Sequence, residues 1–138
     1  MLGGHFSVIT TLKRSIPALK KNLKNYGLYE NCVSLSSVDI PVLELESNLN
    51  LTEQKIEEKI KEILDNSDTE IFVLGCAGMA DFAIKMKKKY NIPVIEGISV
   101  AVKFAESFID LDLKTSSRNS FATPRSKKFT GIFKNFEV

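Results

Sequence analysis

The period of apolar and polar positions changes repeatedly along the chain, and each change marks an element. His5-Phe6-Ser7-Val8-Ile9-Thr10 is an apolar, β-branched run after Gly3-Gly4 and reads as a buried strand. Ser15-Ile16-Pro17 opens a helix with Pro17 in its first turn; Ala18, Leu19, Leu23 and Tyr26 follow at helical spacing, and Gly27 is the stop. Cys32 to Val38 alternates as a second strand, and Asp39 to Leu43, restrained by Pro41, reads as a loop or short extension. Thr52 is the expected cap of a helix whose stripe Ile56, Ile60, Ile63 and Leu64 turns inward while Glu57, Glu58, Lys59, Lys61 and Glu62 face water. Glu70 to Gly75 is a continuous apolar run, the pattern of a parallel strand buried on both faces. A third helix follows Met79, with Phe82, Ala83, Met86 and Tyr90 inward and Lys85, Lys87, Lys88 and Lys89 outward. Asn91 to Ile95 predicts a short fourth strand, and Gly97 to Leu111 a last helix with Val100, Val102, Phe104, Ala105 and Phe108 as core candidates.

Strands alternating with crossover-length helices imply an α/β fold: a three-layer sandwich around a mainly parallel four-stranded sheet. Residues 1–113 form the expected lobe. Residues 114–138 are polar, basic and short of core positions, and read as an extended or mobile tail.

Composition narrows the function. The chain has 138 residues, 43% of them hydrophobic, which suits one domain with a buried core. Its 19 Lys+Arg against 17 Asp+Glu leave a formal charge of +2, too balanced for a partner that is a phosphate backbone, so no nucleic acid is expected. No apolar run approaches the roughly 20 residues of a membrane span, and a cytoplasmic protein is the expectation. Two cysteines, Cys32 and Cys76, and a single histidine, His5, lack the spacing of a closed metal site, and no metal is expected. A dinucleotide fingerprint and a phosphate loop are both missing from the sequence.

Ligands of open parallel sheets bind at the carboxyl ends of the strands, here Thr10-Thr11, Ser36-Ser37, Gly75-Cys76-Ala77-Gly78 and Glu96-Gly97. Cys76 therefore stands where function is usually found. Its small neighbours let a backbone approach a ligand, and thiols at helix N-termini are, as a class, favoured as thiolates and able to act as bases. A buried cysteine that merely fills a strand end is the competing reading. Thr10, Thr11 and Arg14 place hydroxyls and a guanidinium at a strand-to-helix turn, a cradle for a carbonyl or anion, or else ordinary helix capping. Cys32, at a strand start without glycines, is read as packing, and the Lys85 to Lys89 run as a solvated face.

Four blocks carry a resemblance: Phe6 to Leu12 with Arg14-Ser15, Asp39-Ile40-Pro41-Val42-Leu43, Val73-Leu74-Gly75-Cys76-Ala77-Gly78-Met79-Ala80, and Pro93-Val94-Ile95-Glu96-Gly97 with Ala101-Val102-Lys103. In this order they resemble the hydantoin and allantoin racemases of the aspartate/glutamate/hydantoin racemase superfamily. The resemblance implies a cofactor-independent racemisation of a hydantoin-type substrate by two cysteines on opposite faces of the ring stereocentre. Cys76 matches the second of them. Gly75, Ala77 and Gly78 would shape its turn, and Thr10, Thr11 and Arg14 would line the substrate pocket. Members of that family have two similar lobes and about twice this length. The chain is therefore read as the C-terminal lobe, either a fragment of a longer parent or a truncated gene product, inactive alone and in need of a missing N-terminal lobe or partner chain. Self-association through the apolar residues flanking Cys76 is expected, and a non-catalytic small-molecule-binding or interaction domain is the alternative function.

Overall fold

The computed structural model describes residues 2–135. Four strands, β1 (Phe6–Thr10), β2 (Cys32–Ser37), β3 (Ile71–Leu74) and β4 (Val94–Glu96), form one all-parallel sheet in the order β2-β1-β3-β4. The helices are α1 (Ile16–Asn25), α2 (Leu49–Asn66), α3 (Ala80–Tyr90) and α4 (Gly97–Asp110). The α/β sandwich with a parallel four-stranded sheet expected from the alternation is what forms.

Pairing register sorts the side chains onto two faces. Ile9, Phe72, Leu74 and Val94 join Ile56, Ile60 and Ile63 of α2 and Phe82, Ala83 and Met86 of α3 in one buried cluster. Leu35, Val8, Val73 and Ile95 lie side by side on the other face. That face is approached by α1, whose half-buried Ile16, Leu19 and Leu23 recur at helical spacing. Right-handed crossovers produce this division, because β1-α1-β2 moves one way along the sheet while β2-α2-β3 and β3-α3-β4 move the other. Outside the cluster, Lys85 and Lys89 of α3 pair with Glu53 and Glu57 of α2, so the lysine run is a solvated face with two of its members tied across to the neighbouring helix.

Three features differ from expectation. Asn48 caps α2 by accepting the Leu51 N–H at 3.0 Å, so the helix starts a turn before Thr52. Thr52 is buried inside it and donates its hydroxyl to the Leu45 carbonyl at 2.9 Å. Asn91 does not belong to β4; it closes α3 in the left-handed region at φ +51, and pairing begins only after Pro93. The third difference is larger: α4 forms where expected but buries nothing, and Val100, Val102, Phe104, Ala105 and Phe108 are all exposed. Periodicity correctly reports a helix with an apolar stripe; it does not report whether another element lies against that stripe.

The chain divides into two compact units, the first running through Phe104 and the second from Ala105 onward. The second comprises the end of α4 and a run whose only regular elements among the described residues are short 3-10 turns at Asn119–Phe121 and Gly131–Phe133. Among the described residues no helix is long and apolar enough to cross a membrane.

Candidate functional site

Because the strands are parallel, Thr10, Ser37, Leu74 and Glu96 all end at one edge of the sheet. The connections leaving β1 and β3 diverge to opposite faces, which makes this pair the switch point of the sheet, the place where parallel α/β sheets as a class receive ligands. Thr10 and the segment Gly75-Cys76 stand at this switch point. Gly75 continues the ladder by donating its N–H to the Ile9 carbonyl at 2.8 Å, and a Cβ built on it would lie 3.7 Å from the Thr10 Cβ. Cys76 follows in extended conformation as the cap of a 3-10 turn, Ala77–Met79, that leads into α3. Its carbonyl accepts the Met79 N–H at 3.0 Å, and its thiol is free and half-buried between exposed Gly75 and exposed Ala77.

Gly78 is the tightest point of this turn. A Cβ there would stand 3.0 Å from Cδ1 of fully buried Leu45 and 3.9 Å from the Cys76 sulfur, so a hydrogen side chain lets the turn sit close to the core.

Thr10 and Thr11 are both buried, and among the described residues neither hydroxyl has a hydrogen-bond partner. Their carbonyls are used: Val38 N–H donates to Thr10 at 3.0 Å and Ile40 N–H to Thr11 at 3.1 Å. The hydroxyls therefore do no capping, and Ser15 caps α1 without a side-chain bond. Arg14 is exposed on the 3-10 turn Lys13–Ser15 just beyond them. Thr10, Gly75, Cys76, Ala77 and Gly78 are thus gathered at one edge with Thr11 and Arg14 on the adjoining loop. Cys32 is not among them. It pairs with Phe6 at the opposite edge and donates its thiol to the Ser34 carbonyl at 3.3 Å, and partial burial pushes its pKa up.

Two acidic residues at this edge, Glu96 and Asp39, stand in the sequence only as part of a strand end and of a loop, with no role of their own assigned. Glu96 ends β4 at 5% exposure, and its two carboxylate oxygens accept the first free N–H groups of α4, from Ile98 at 2.6 Å and Ser99 at 2.9 Å. Asp39 lies beyond β2 at φ +54 and accepts the Ser37 hydroxyl at 2.8 Å and the Lys13 N–H at 3.1 Å on a single oxygen. The available signals were a carboxylate directly before a helix start and an Asp between short polar residues and a proline, both common cap and turn chemistry. Among the described residues no three Cys, His, Asp or Glu side chains are grouped so as to hold a metal.

These carboxylates make stability pH-dependent. Hydrogen bonding from Ser99 holds Glu96 below the usual carboxylate range, the Ser37 hydroxyl does the same for Asp39, and the His5 and Gly4 N–H groups for Glu70. A depressed folded-state pKa contributes stability that is fully present above the unfolded value, about 4, and is lost as pH falls through the folded value. The urea midpoint is therefore expected to drop as pH is lowered from about 5 toward 2, and Glu96→Gln to flatten that drop.

The fold and site define a class: parallel α/β domains that present a free cysteine, set among small residues, at the switch point of the sheet. Residues 1–105 match the family model described as Asp/Glu/Hydantoin racemase, and the chain belongs to that family. It is 33% identical over 136 residues to the hydantoin racemase of Pseudomonas sp. (strain NS671), covering 99% of this chain and 55% of that protein. To the hydantoin racemase of Rhizobium meliloti it is 37% identical over 126 residues, covering 91% and 52%. The solved allantoin racemase from Klebsiella pneumoniae superposes with a TM-score of 0.84 at 36% identity, over 96% of this chain and 54% of that one. The chain thus spans about half the length of the relatives it matches.

Proposed function

We propose that this chain is one lobe of a cofactor-independent hydantoin or allantoin racemase, with Cys76 supplying one of two thiols that act on the ring stereocentre. The observation that carries the reading is Cys76 itself: a half-exposed thiol at the carboxyl edge of β3, between exposed Gly75 and Ala77, where the sheet opens. A Cys76 thiolate takes the proton beside the ring carbonyl, the electron pair passes into the carbonyl as an enolate, and a second thiol delivers its own proton to the opposite face. The product is the other enantiomer, and the two sulfurs have exchanged protonation states. The substrate's own carbonyl is the electron sink, so the reaction needs no cofactor. Backbone N–H groups and the unpartnered hydroxyls of Thr10 and Thr11 are suited to stabilise the enolate oxygen.

The second thiol comes from outside this lobe. Cys32 is separated from the edge by the length of β2, on the order of 15 Å at the usual rise per residue. The missing half, or a partner chain, provides it. The exposed apolar residues of α4, among them Ile98, Val102 and Phe104, support such association. The apolar neighbours of Cys76 do not supply that surface, because Leu74 and Met79 are buried.

The test is proton NMR and polarimetry of an enantiopure 5-alkyl hydantoin and of allantoin in deuterated water. With one thiol per site, deuterium is expected to replace the stereocentre proton while optical rotation stays constant. Racemisation by the isolated chain would overturn its description as a half-site; the absence of any exchange would overturn the assignment of Cys76 as an acting base.

A further inference from the structure

Three hydrogen bonds join the segment after β2 to the loop after β1. Val38 and Ile40 donate their N–H groups to the Thr10 and Thr11 carbonyls. Between these two rungs the backbone turns through Asp39, whose φ of +54 points its carboxylate away from the ladder and toward the loop. There a single oxygen, Oδ1, accepts both the Ser37 hydroxyl and the Lys13 N–H. Main-chain rungs therefore hold Thr10 and Thr11, and one side chain holds Lys13, the first residue of the turn that carries Arg14.

We propose that Asp39 is a positioning residue for the substrate site: through Ser37 and Lys13 it sets the course of the loop that carries Thr11 and Arg14 past Cys76. This rests on the racemase reading for what the loop contacts. The anchoring itself follows from geometry, since Lys13 N–H has no other acceptor among the described residues and lies between two residues assigned to the pocket. Asp39 is exposed, so it adds nothing to the core and its effect is local. The carboxylate is ionised across the neutral range because both donors favour its charged form.

Two substitutions separate the carboxylate from the backbone turn. Asp39→Gly keeps the left-handed conformation without strain and removes the acceptor; Asp39→Asn keeps a neutral Oδ1 that can serve both donors and also tolerates positive φ. Three quantities are read on the full chain: amide exchange at Lys13, affinity for 5-methylhydantoin by NMR titration, and the melting temperature. Asp39→Gly is expected to speed Lys13 exchange and weaken hydantoin binding by about tenfold each, the scale of one charge-assisted hydrogen bond. Its melting temperature stays within a few degrees of the parent's. Asp39→Asn is expected to restore both readings to within about threefold, as a neutral acceptor of the same shape. An Asp39→Gly chain matching the parent in Lys13 exchange would overturn the proposal, because the turn alone would then suffice. Faster exchange with unchanged hydantoin affinity would also overturn it, leaving Asp39 a loop anchor only. If the parent chain takes no hydantoin while Lys13 exchange still responds, it is the racemase reading that falls and the anchoring that stands.

Discussion

Phe72→Ala is expected to lower the unfolding free energy by about 3–5 kcal/mol, the usual cost of deleting a buried aromatic ring. Phe72 is fully buried on β3, beside Ser7 of β1 and Val94 of β4, and belongs to the cluster that joins the sheet to α2 and α3. No single helix can collapse into the space it leaves. Domains of this size have about 5–15 kcal/mol in total, so the variant stands close to the threshold for folding. Phe104→Ala is the control: at 62% exposure it is expected to shift stability by less than about 0.5 kcal/mol. Urea unfolding at constant pH measures both, and equal losses at the two positions would contradict the division between a packed sheet and the exposed stripe of α4.

Cys76→Ser is expected to reduce deuterium exchange at the hydantoin stereocentre by about 10²–10⁴-fold, the contribution typical of a positioned acid or base. Serine preserves the size and the extended conformation of the cap position, and Cys76 makes no side-chain hydrogen bond that the substitution would break. Stability is therefore expected to stay near the parent's while exchange is lost, which separates a chemical role from a packing one. Cys32→Ser is the matching control, with exchange retained. If Cys76→Ser exchanges at the parental rate, the proton is being taken by another group and the thiol is packing, as for an ordinary buried cysteine.

Strands were the most legible part of this chain because burial on both faces writes itself as an unbroken apolar run, as in Ile71 to Leu74. Helix ends were less so. Thr52 and Asn48 are both good caps, and what selects Asn48 is that Thr52 is needed inside, where its hydroxyl serves the Leu45 carbonyl. The placement of Cys76 followed from chain order and the parallel-sheet rule, without any distance being known. Asp39 and Glu96 did not follow, since a carboxylate's role at a turn depends on which N–H groups the fold brings to it. The stripe on α4 was read correctly as a pattern and incorrectly as core, because a sequence of one chain contains no statement about a second surface.

The strand order bears on how the chain acquires its structure. β1 occupies an interior position in the sheet, yet one of its neighbours, β3, begins only at Ile71, and the row is completed by β4 at Val94–Glu96. During synthesis the first strand therefore emerges long before its partner, carrying an apolar run with a bare hydrogen-bonding side. Until Leu74 has left the ribosome, the only sheet neighbour within this lobe that it can recruit is β2, and a parallel pair alone is a poor shelter. Contacts of such large sequence separation make folding slow relative to helical bundles. The interval between β1 and β3 is thus the period when the nascent chain is most exposed to aggregation and most dependent on a chaperone.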